Sequence, residues 1–481
     1  MARFLRLLPV LLLIGAQSPG ADARWWVLAA DDGTIVGTIA ETRSADGRES
    51  VSEQRVTIQE RGDAATAIVD RNVTRYDSAG RVSAIEKTWS SGRIRGSVAA
   101  RIHADRAEIV RTDSVAAPRN STVALPPGTR FDNGTALLAG WDRSVTPQLE
   151  FLNFNLEAMA VDRVVIAPID APPELAEGRI ALQRRSYEGD ALRGVQLLIL
   201  GADGRVVETH QPLFGSVLIV RPSTQEEASR PIRPYQPLTR ALSQSPFRIP
   251  AGALNGRIRY RFTFRHGIAF PLIATGEQNG VVAGGVATLN VCATCGPDLP
   301  ATPEELAAAT RPTAWLQSDH RSIRALAAPA RNRSLSAARR MEALVRVVER
   351  EIAEIDFAGH FSAVEALRRR RGDCTESAVL LAALGRSIGI PTKVVSGLVY
   401  SRGAYHGASN VFLPHSWVIA YVDGRWRSYD AALGNFDSTH IALTIGDGDV
   451  RSISAANQLA GLIQWTEMQE VRTRPRAFTQ P

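Results

Sequence analysis

The chain has 481 residues, enough for two or three domains, and no repeat of solenoid length. Past the first 23 residues, no apolar run approaches the twenty or so that a bilayer-spanning helix needs. The net charge is +7, with arginine far exceeding lysine, and only 6% of residues are aromatic, which suits anionic envelope material better than nucleic acid.

Residues 1–23 read as a secretory signal. Arg3 and Arg6 give a positive start, Leu7 to Ile14 a short apolar core, and Ala21-Asp22-Ala23 a small-x-small cleavage site. The mature protein is then expected in the periplasm or outside the cell. Residues 24–221 read as a β-rich domain. From Val36 to Asp113, alternating segments are broken at hairpin spacing by Ser44-Ala45-Asp46-Gly47, Arg61-Gly62-Asp63, Asp77-Ser78-Ala79-Gly80 and Ser90-Ser91-Gly92. This pattern predicts an antiparallel meander. Leu137, Leu138, Trp141, Leu149, Phe151 and Leu152 suggest helix over 134–158, broken or restarted at Pro147. Val195 to Leu200 and Val217 to Val220 return to strand, so a curved sheet wrapping a helix is expected. Residues 222–250, rich in Pro, Ser, Arg and Gln, read as a linker.

Residues 251–300 read as a β segment leading into the next domain. Arg257 to Phe264 alternates strictly, as a strand with one buried face does. In an oxidising compartment Cys292 and Cys295 could close a small disulfide. Two quiet thiols are the other plain reading. A redox pair lacks a helix start and a βαβ setting here, and a metal site needs more ligands. From 302 to 371 the chain turns helical. Met341, Leu344, Val345, Val348 and Ile352 recur at a spacing of three to four, the stripe of a packed helix. The run Arg368-Arg369-Arg370-Arg371 reads as a solvated helix end, where cations are favourable. Contact with an acidic substrate is the sharper alternative.

The chemistry is concentrated between 372 and 430. Asp373 is a good N-cap, and Glu376 three residues on completes a capping box. Ala378 to Leu384 then reads as a buried helix, stopped by Gly389 and Pro391. Cys374 is therefore expected at the first helical position. Free N–H groups and the positive helix end favour a thiolate there and could receive an oxyanion. Phe412 to Val422 and Arg425 to Asp430 read as two strands around an Asp423-Gly424 turn. With that loop Trp417 faces Asp430 and His415 faces Ala432. His415 and Asp430 then point the same way as diagonal neighbours, roughly 7–8 Å apart at the backbone. Cys374, His415 and Asp430 thus have the types and order of a nucleophile, its base and the group that orients the base. Of the remaining histidines, His360 and His440 read as packing or surface residues, and His406 sits in a glycine-rich loop before the base strand.

Three segments carry a family resemblance: Gly372-Asp373-Cys374-Thr375-Glu376, Gly389 to Tyr400, and His415-Ser416-Trp417 with Tyr429-Asp430. From about Trp315 to Asp449 the chain resembles the transglutaminase-like superfamily of bacterial cysteine enzymes, part of the papain-like group. Phe436-Asp437-Ser438-Thr439-His440-Ile441 is similar to the family's segment after the acid. Many relatives carry His where this chain has Ser377, and Pro where it has Ala431. The resemblance implies an α+β fold for residues 301–450: helices, the Cys374 helix, then antiparallel strands with His415 and Asp430. Residues 451–481 are left as a tail. It also implies acyl-thioester chemistry on a protein, peptide or cell-wall peptide substrate, with no cofactor. A binding or scaffold module with an idle triad is the rival from another class.

Overall fold

In a computed structural model the described residues are 23–471, apart from 60–63, 93, 114–115, 171–174, 176–177, 214–215, 356–359 and 404–407. The secretory signal (but for Ala23), the Arg61-Gly62-Asp63 turn, His406 and residues 472–481 lie outside them. The chain divides into two compact units, one built mainly from residues up to Ala241 and the other from most of the remainder.

The first unit is one antiparallel sheet of 14 strands. Its first eight strands, from Arg24–Ala30 to Ala116–Ala124, follow one another as a meander. The last six, from Leu149–Asn155 to Ser216–Ser223, form a second meander, and the two join where Arg24–Ala30 pairs with Ser216–Ser223. Gly47 and Gly80 adopt φ of 69° and 75°, a left-handed conformation that glycine enters without steric cost. Leu28, Ile39, Val56, Ile68 and Leu218 form one of its apolar clusters.

The expected helix over 134–158 is mostly wrong. Only Thr135–Ala139 is helical, and Leu149–Asn155 is a strand paired with Ala160–Pro168. Leu138, Trp141 and Phe151 do share one core cluster. Two short apolar patterns of different period had merged across Pro147 into one that resembled a helix. The sheet is continuous among the described residues rather than wrapped around a long helix. Strands account for 45% and helices for 20%, so the chain is mostly β, and the α+β description fits it only loosely.

Residues 222–250 are not a plain linker. Gln225–Ala228 and Pro237–Ala241 are short helices. Tyr235 is buried, donating from its N–H to Thr57 O at 2.7 Å and accepting from Gln59 N–H at 2.9 Å. One buried aromatic anchors a segment whose composition suggested none.

In the second unit, Ile258–Phe264 sits between Val286–Val291 and Ile463–Glu470 in a four-stranded antiparallel sheet. Its Ile258, Tyr260, Phe262 and Phe264 are buried, as the alternation predicted. Residues 451–481 are therefore not a simple tail: Val450–Gly461 is a helix and Ile463–Glu470 a strand. That strand alternates weakly in sequence, and its pairing partner lies about 200 residues earlier, so only the tertiary structure reveals it. Cys292 and Cys295 are disulfide-bonded.

The centre of this unit is the helix Cys374–Ser387, buried from Thr375 to Arg386. Met341, Leu344, Val345 and Val348 of the helix Ala337–Glu351 pack on it, as do Val418, Ala420 and Val422 of the strand Val411–Val422. That strand pairs with Thr392–Ser401 on one side and Arg425–Tyr429 on the other, and Thr392–Ser401 in turn pairs with Ile441–Gly446. No helix among the described residues is long and apolar enough to cross a membrane.

Candidate active site

Cys374 is the first residue of its helix, with Asp373 as N-cap. The Asp373 carboxylate accepts the Thr375 N–H at 2.7 Å, and Glu376 accepts the Asp373 N–H at 3.0 Å. Glu376 is fully buried, and its second oxygen accepts the Phe361 N–H at 2.9 Å. A side chain at Gly372 would collide with Glu376, so the close approach requires glycine. The two reciprocal bonds hold the first turn and with it the cysteine.

His415 and Asp430 are brought together by the hairpin. Asp423 and Gly424 make its turn with φ of 52° and 78°, and the pairing runs from Val422 opposite Arg425 to Val418 opposite Tyr429. This is the expected register. A slip of one residue would have put the two side chains on opposite faces. His415 Nε2 lies 2.7 Å from Asp430 Oδ2, with both side chains buried. The other oxygen, Oδ1, accepts the N–H groups of Ala432 at 2.7 Å and Leu433 at 3.1 Å. The hydrogen bond made to the Cys374 sulfur comes from the Ser416 backbone N–H, one residue along the strand from His415.

A fourth residue belongs to this constellation, and the sequence reading passed over it. His440 places Nε2 3.0 Å from the same Asp430 Oδ2, and its Nδ1 lies 3.1 Å from Asp437 Oδ1. It is buried rather than on the surface. The local signal was the Asp437-His440 spacing inside the family-like segment. Its approach to Asp430, however, depends on the strand that follows. Gly397 is paired with His415 on one side and with Ala442 on the other, at a bulge. A Cβ on Gly397 would collide with the Ile441 carbonyl oxygen. Only glycine lets the strand after His440 come this close.

The electrostatics follow from the packing. Burial disfavours the Asp430 carboxylate, but the charge and hydrogen bond of His415 and the hydrogen bond of His440 outweigh it, holding Asp430 well below the usual carboxylate range. Burial likewise opposes charge on His440, yet its hydrogen bonds to Asp430 and Asp437 raise it to about 9. The Cys374 thiol is pushed well above its usual value, by burial first and then by Asp373, with Asp430 and Glu376 adding to it. Only the Ser416 N–H works the other way. This runs against the expectation of a thiolate at the helix start: burial, with Asp373 after it, works against the charged form. A protonated thiol can still react if a base takes its proton as the sulfur attacks.

His415, Asp430 and His440 offer ligand atoms within 4.8 Å of one another, so these three could gather around a cation. The separations of 2.7 and 3.0 Å are those of hydrogen bonds. His360 is spent elsewhere, stacked on Trp315 with ring centroids 4.5 Å apart and bonded to Gly448 O at 2.6 Å. The arginine run is engaged locally: Arg368 with Glu365 at 2.6 Å, Arg370 with Glu351 at 3.3 Å, and Arg369 over the Phe361 ring.

Residues 324–431, which contain Cys374, His415 and Asp430, match the model of the transglutaminase-like superfamily. The chain carries a transglutaminase-like domain. An uncharacterized protein of Mycobacterium leprae is 33% identical over 90 residues, or 18% of this chain. The chain spans about a third, 32%, of that relative's length. A solved structure described as a "putative cysteine protease" of Cytophaga hutchinsonii is similar at 16% identity and a TM-score of 0.28, over 45% of this chain and 84% of that one. A beta-barrel-like protein of Brucella abortus is similar at 10% identity and a TM-score of 0.31, over 42% of this chain and 95% of that one. The transglutaminase-like domain thus occupies the part of the second unit that holds the Cys374 helix and the His415 hairpin.

Proposed function

We propose that this chain is an exported cysteine enzyme that acts on amide or peptide bonds through a thioester on Cys374. The hydrogen bond from His415 Nε2 to Asp430 carries the reading, because it leaves Nδ1 as the ring nitrogen for the thiol. Cys374 Sγ attacks the carbonyl carbon while its proton passes to His415. The imidazolium then protonates the departing amine, the C–N bond breaks, and a thioester remains. Water or a second amine attacks the thioester with His415 again taking the proton, and the C–S bond breaks to return the thiol. The first outcome is hydrolysis, the second acyl transfer. Asp430 orients the ring and stabilises the imidazolium. The Cys374 backbone N–H, at the helix start, is a donor for the oxyanion. The substrate is a protein, a peptide or a cell-wall peptide, met in the periplasm or outside the cell.

One feature favours a scaffold reading instead: burial, and after it the neighbouring Asp373, push the Cys374 thiol well above its usual value. Incubating the mature protein with cell-wall and peptide fractions, then measuring the intact mass, separates the two. An acyl adduct on Cys374, absent from Cys374→Ala, is expected. No adduct from any fraction, together with a thiol inert to iodoacetamide from pH 6 to 10, would leave the scaffold reading standing.

A further inference from the structure

His440 has no part in the reaction just described, yet it is built into the same hydrogen-bond network. It touches Asp430 through the oxygen that His415 uses, and the two imidazole rings lie edge to face with centroids 5.6 Å apart. Its other nitrogen is held by Asp437, whose Oδ1 also accepts the Thr439 N–H at 2.8 Å and the Thr439 hydroxyl at 2.6 Å. The ring is packed between Trp417 at 5.2 Å and Phe436 at 5.1 Å. Nothing about this resembles a solvated surface histidine.

We propose that His440 is a positioning residue: it clamps Asp430 at the same oxygen that His415 uses and weakens the attraction of that carboxylate for the imidazolium that His415 becomes during the reaction. The inference rests on the reading of Cys374 and His415 as nucleophile and base. Among the described residues Asp430 has four hydrogen-bond partners, two backbone N–H groups on Oδ1 and two rings on Oδ2, which leaves it little freedom to turn. A carboxylate that already faces one imidazolium has less attraction to offer a second, and two cations this close repel. A base that releases its proton readily is useful here, because the same ring must take a proton from the thiol and hand it on to the leaving amine.

The charged and titratable groups around His440 are few. Asp430 and Asp437 are in contact with it. His415 lies across Asp430, and Glu277 borders the small cavity that His440, Trp417 and Ser428 also line. Burial raises Glu277, although its two oxygens share the Ser428 N–H and one of them accepts the Ser428 hydroxyl. Tyr260 adds no charge near neutrality, because burial raises it well above its usual value. Two acidic side chains in direct contact, and one imidazole between them, make His440 the group that carries the compensating charge.

The test uses iodoacetamide as the probe, with alkylation of Cys374 followed by intact mass from pH 5 to 10 in the wild type, His415→Ala and His440→Gln. The glutamine keeps an N–H donor for Asp430 and removes the charge. The expected result is a His440→Gln profile whose lower limb moves up by about one pH unit, about tenfold slower alkylation below the midpoint. A His440→Gln profile that coincides with the wild type, while His415→Ala differs, overturns the role of His440 alone. A His415→Ala profile that coincides with the wild type overturns the nucleophile–base reading beneath it. If His440→Gln does not fold, His440→Asn carries the test. That variant also removes the charge and keeps an N–H donor, and should move the limb in the same direction. An unmoved limb there also overturns the proposal.

Discussion

His415 and His440 approach a single oxygen of Asp430, at 2.7 and 3.0 Å, from two different strand connections. One arrives on the hairpin strand Val411–Val422, the other just before the strand Ile441–Gly446. The strand between them, Thr392–Ser401, pairs with both and fixes their separation. The carboxylate is therefore oriented by the sheet rather than by one neighbour.

Replacing Cys374 by Ala should abolish the acyl adduct and any turnover. The side chain is half-buried at a helix start outside the core cluster, so the stability cost should stay within about 1 kcal/mol. Thermal unfolding by circular dichroism, run beside the adduct assay, checks both halves.

Asp430→Asn should keep the shape of the site and lose its charge. His415 and His440 would then share an amide, and the imidazolium formed during the reaction would go uncompensated. A loss of roughly tenfold to ten-thousandfold in rate is expected once a substrate is in hand. A loss smaller than threefold would mean that Asp430 does not orient His415 in the reaction.

The elevated His440 also predicts how stability varies with pH. Its folded value of about 9 lies above the ordinary 6.5, so its contribution is fully present below pH 6.5 and is lost as pH rises through 9. The full contribution is on the order of 2–3 kcal/mol, counted once for the cluster. Urea unfolding at pH 6 and pH 9.5 should therefore give a lower midpoint at the higher pH. His440→Gln should shrink that difference.

Gly397→Ala should destabilise the second unit by about 2–3 kcal/mol, because the added methyl meets the Ile441 carbonyl and the strand must shift. The shift would draw His440 away from Asp430. The variant should thus combine a lower urea midpoint with a flatter dependence of that midpoint on pH.

Mass mapping without reduction should find Cys292 joined to Cys295 and Cys374 free. A mixed bridge involving Cys374 in active protein would be incompatible with the nucleophile assignment. N-terminal sequencing of the envelope fraction should begin at or near Arg24, and an intact Met1 there would count against export.

Much of the site was legible in local sequence because it is built from local rules. Asp373 and Glu376 are a capping pair three residues apart, which places Cys374 on the first helical residue whatever surrounds it. Asp423-Gly424 sets a two-residue turn, and the period of two along a strand then puts His415 and Asp430 on one face. What the tertiary structure decided depends on residues far apart in the chain. His440 reached Asp430 only because Gly397 allows a bulged strand to close in. The thiol lost its expected acidity because packing buried it and brought Asp430 toward it, adding to the neighbouring Asp373 and Glu376. The strand Ile463–Glu470 and the anchored Tyr235 take their structure from partners about 200 residues away. Capping and turn chemistry act within a few residues and can be read in order. Desolvation, charge proximity and strand pairing depend on which segments meet, and that is set only when the whole chain has packed.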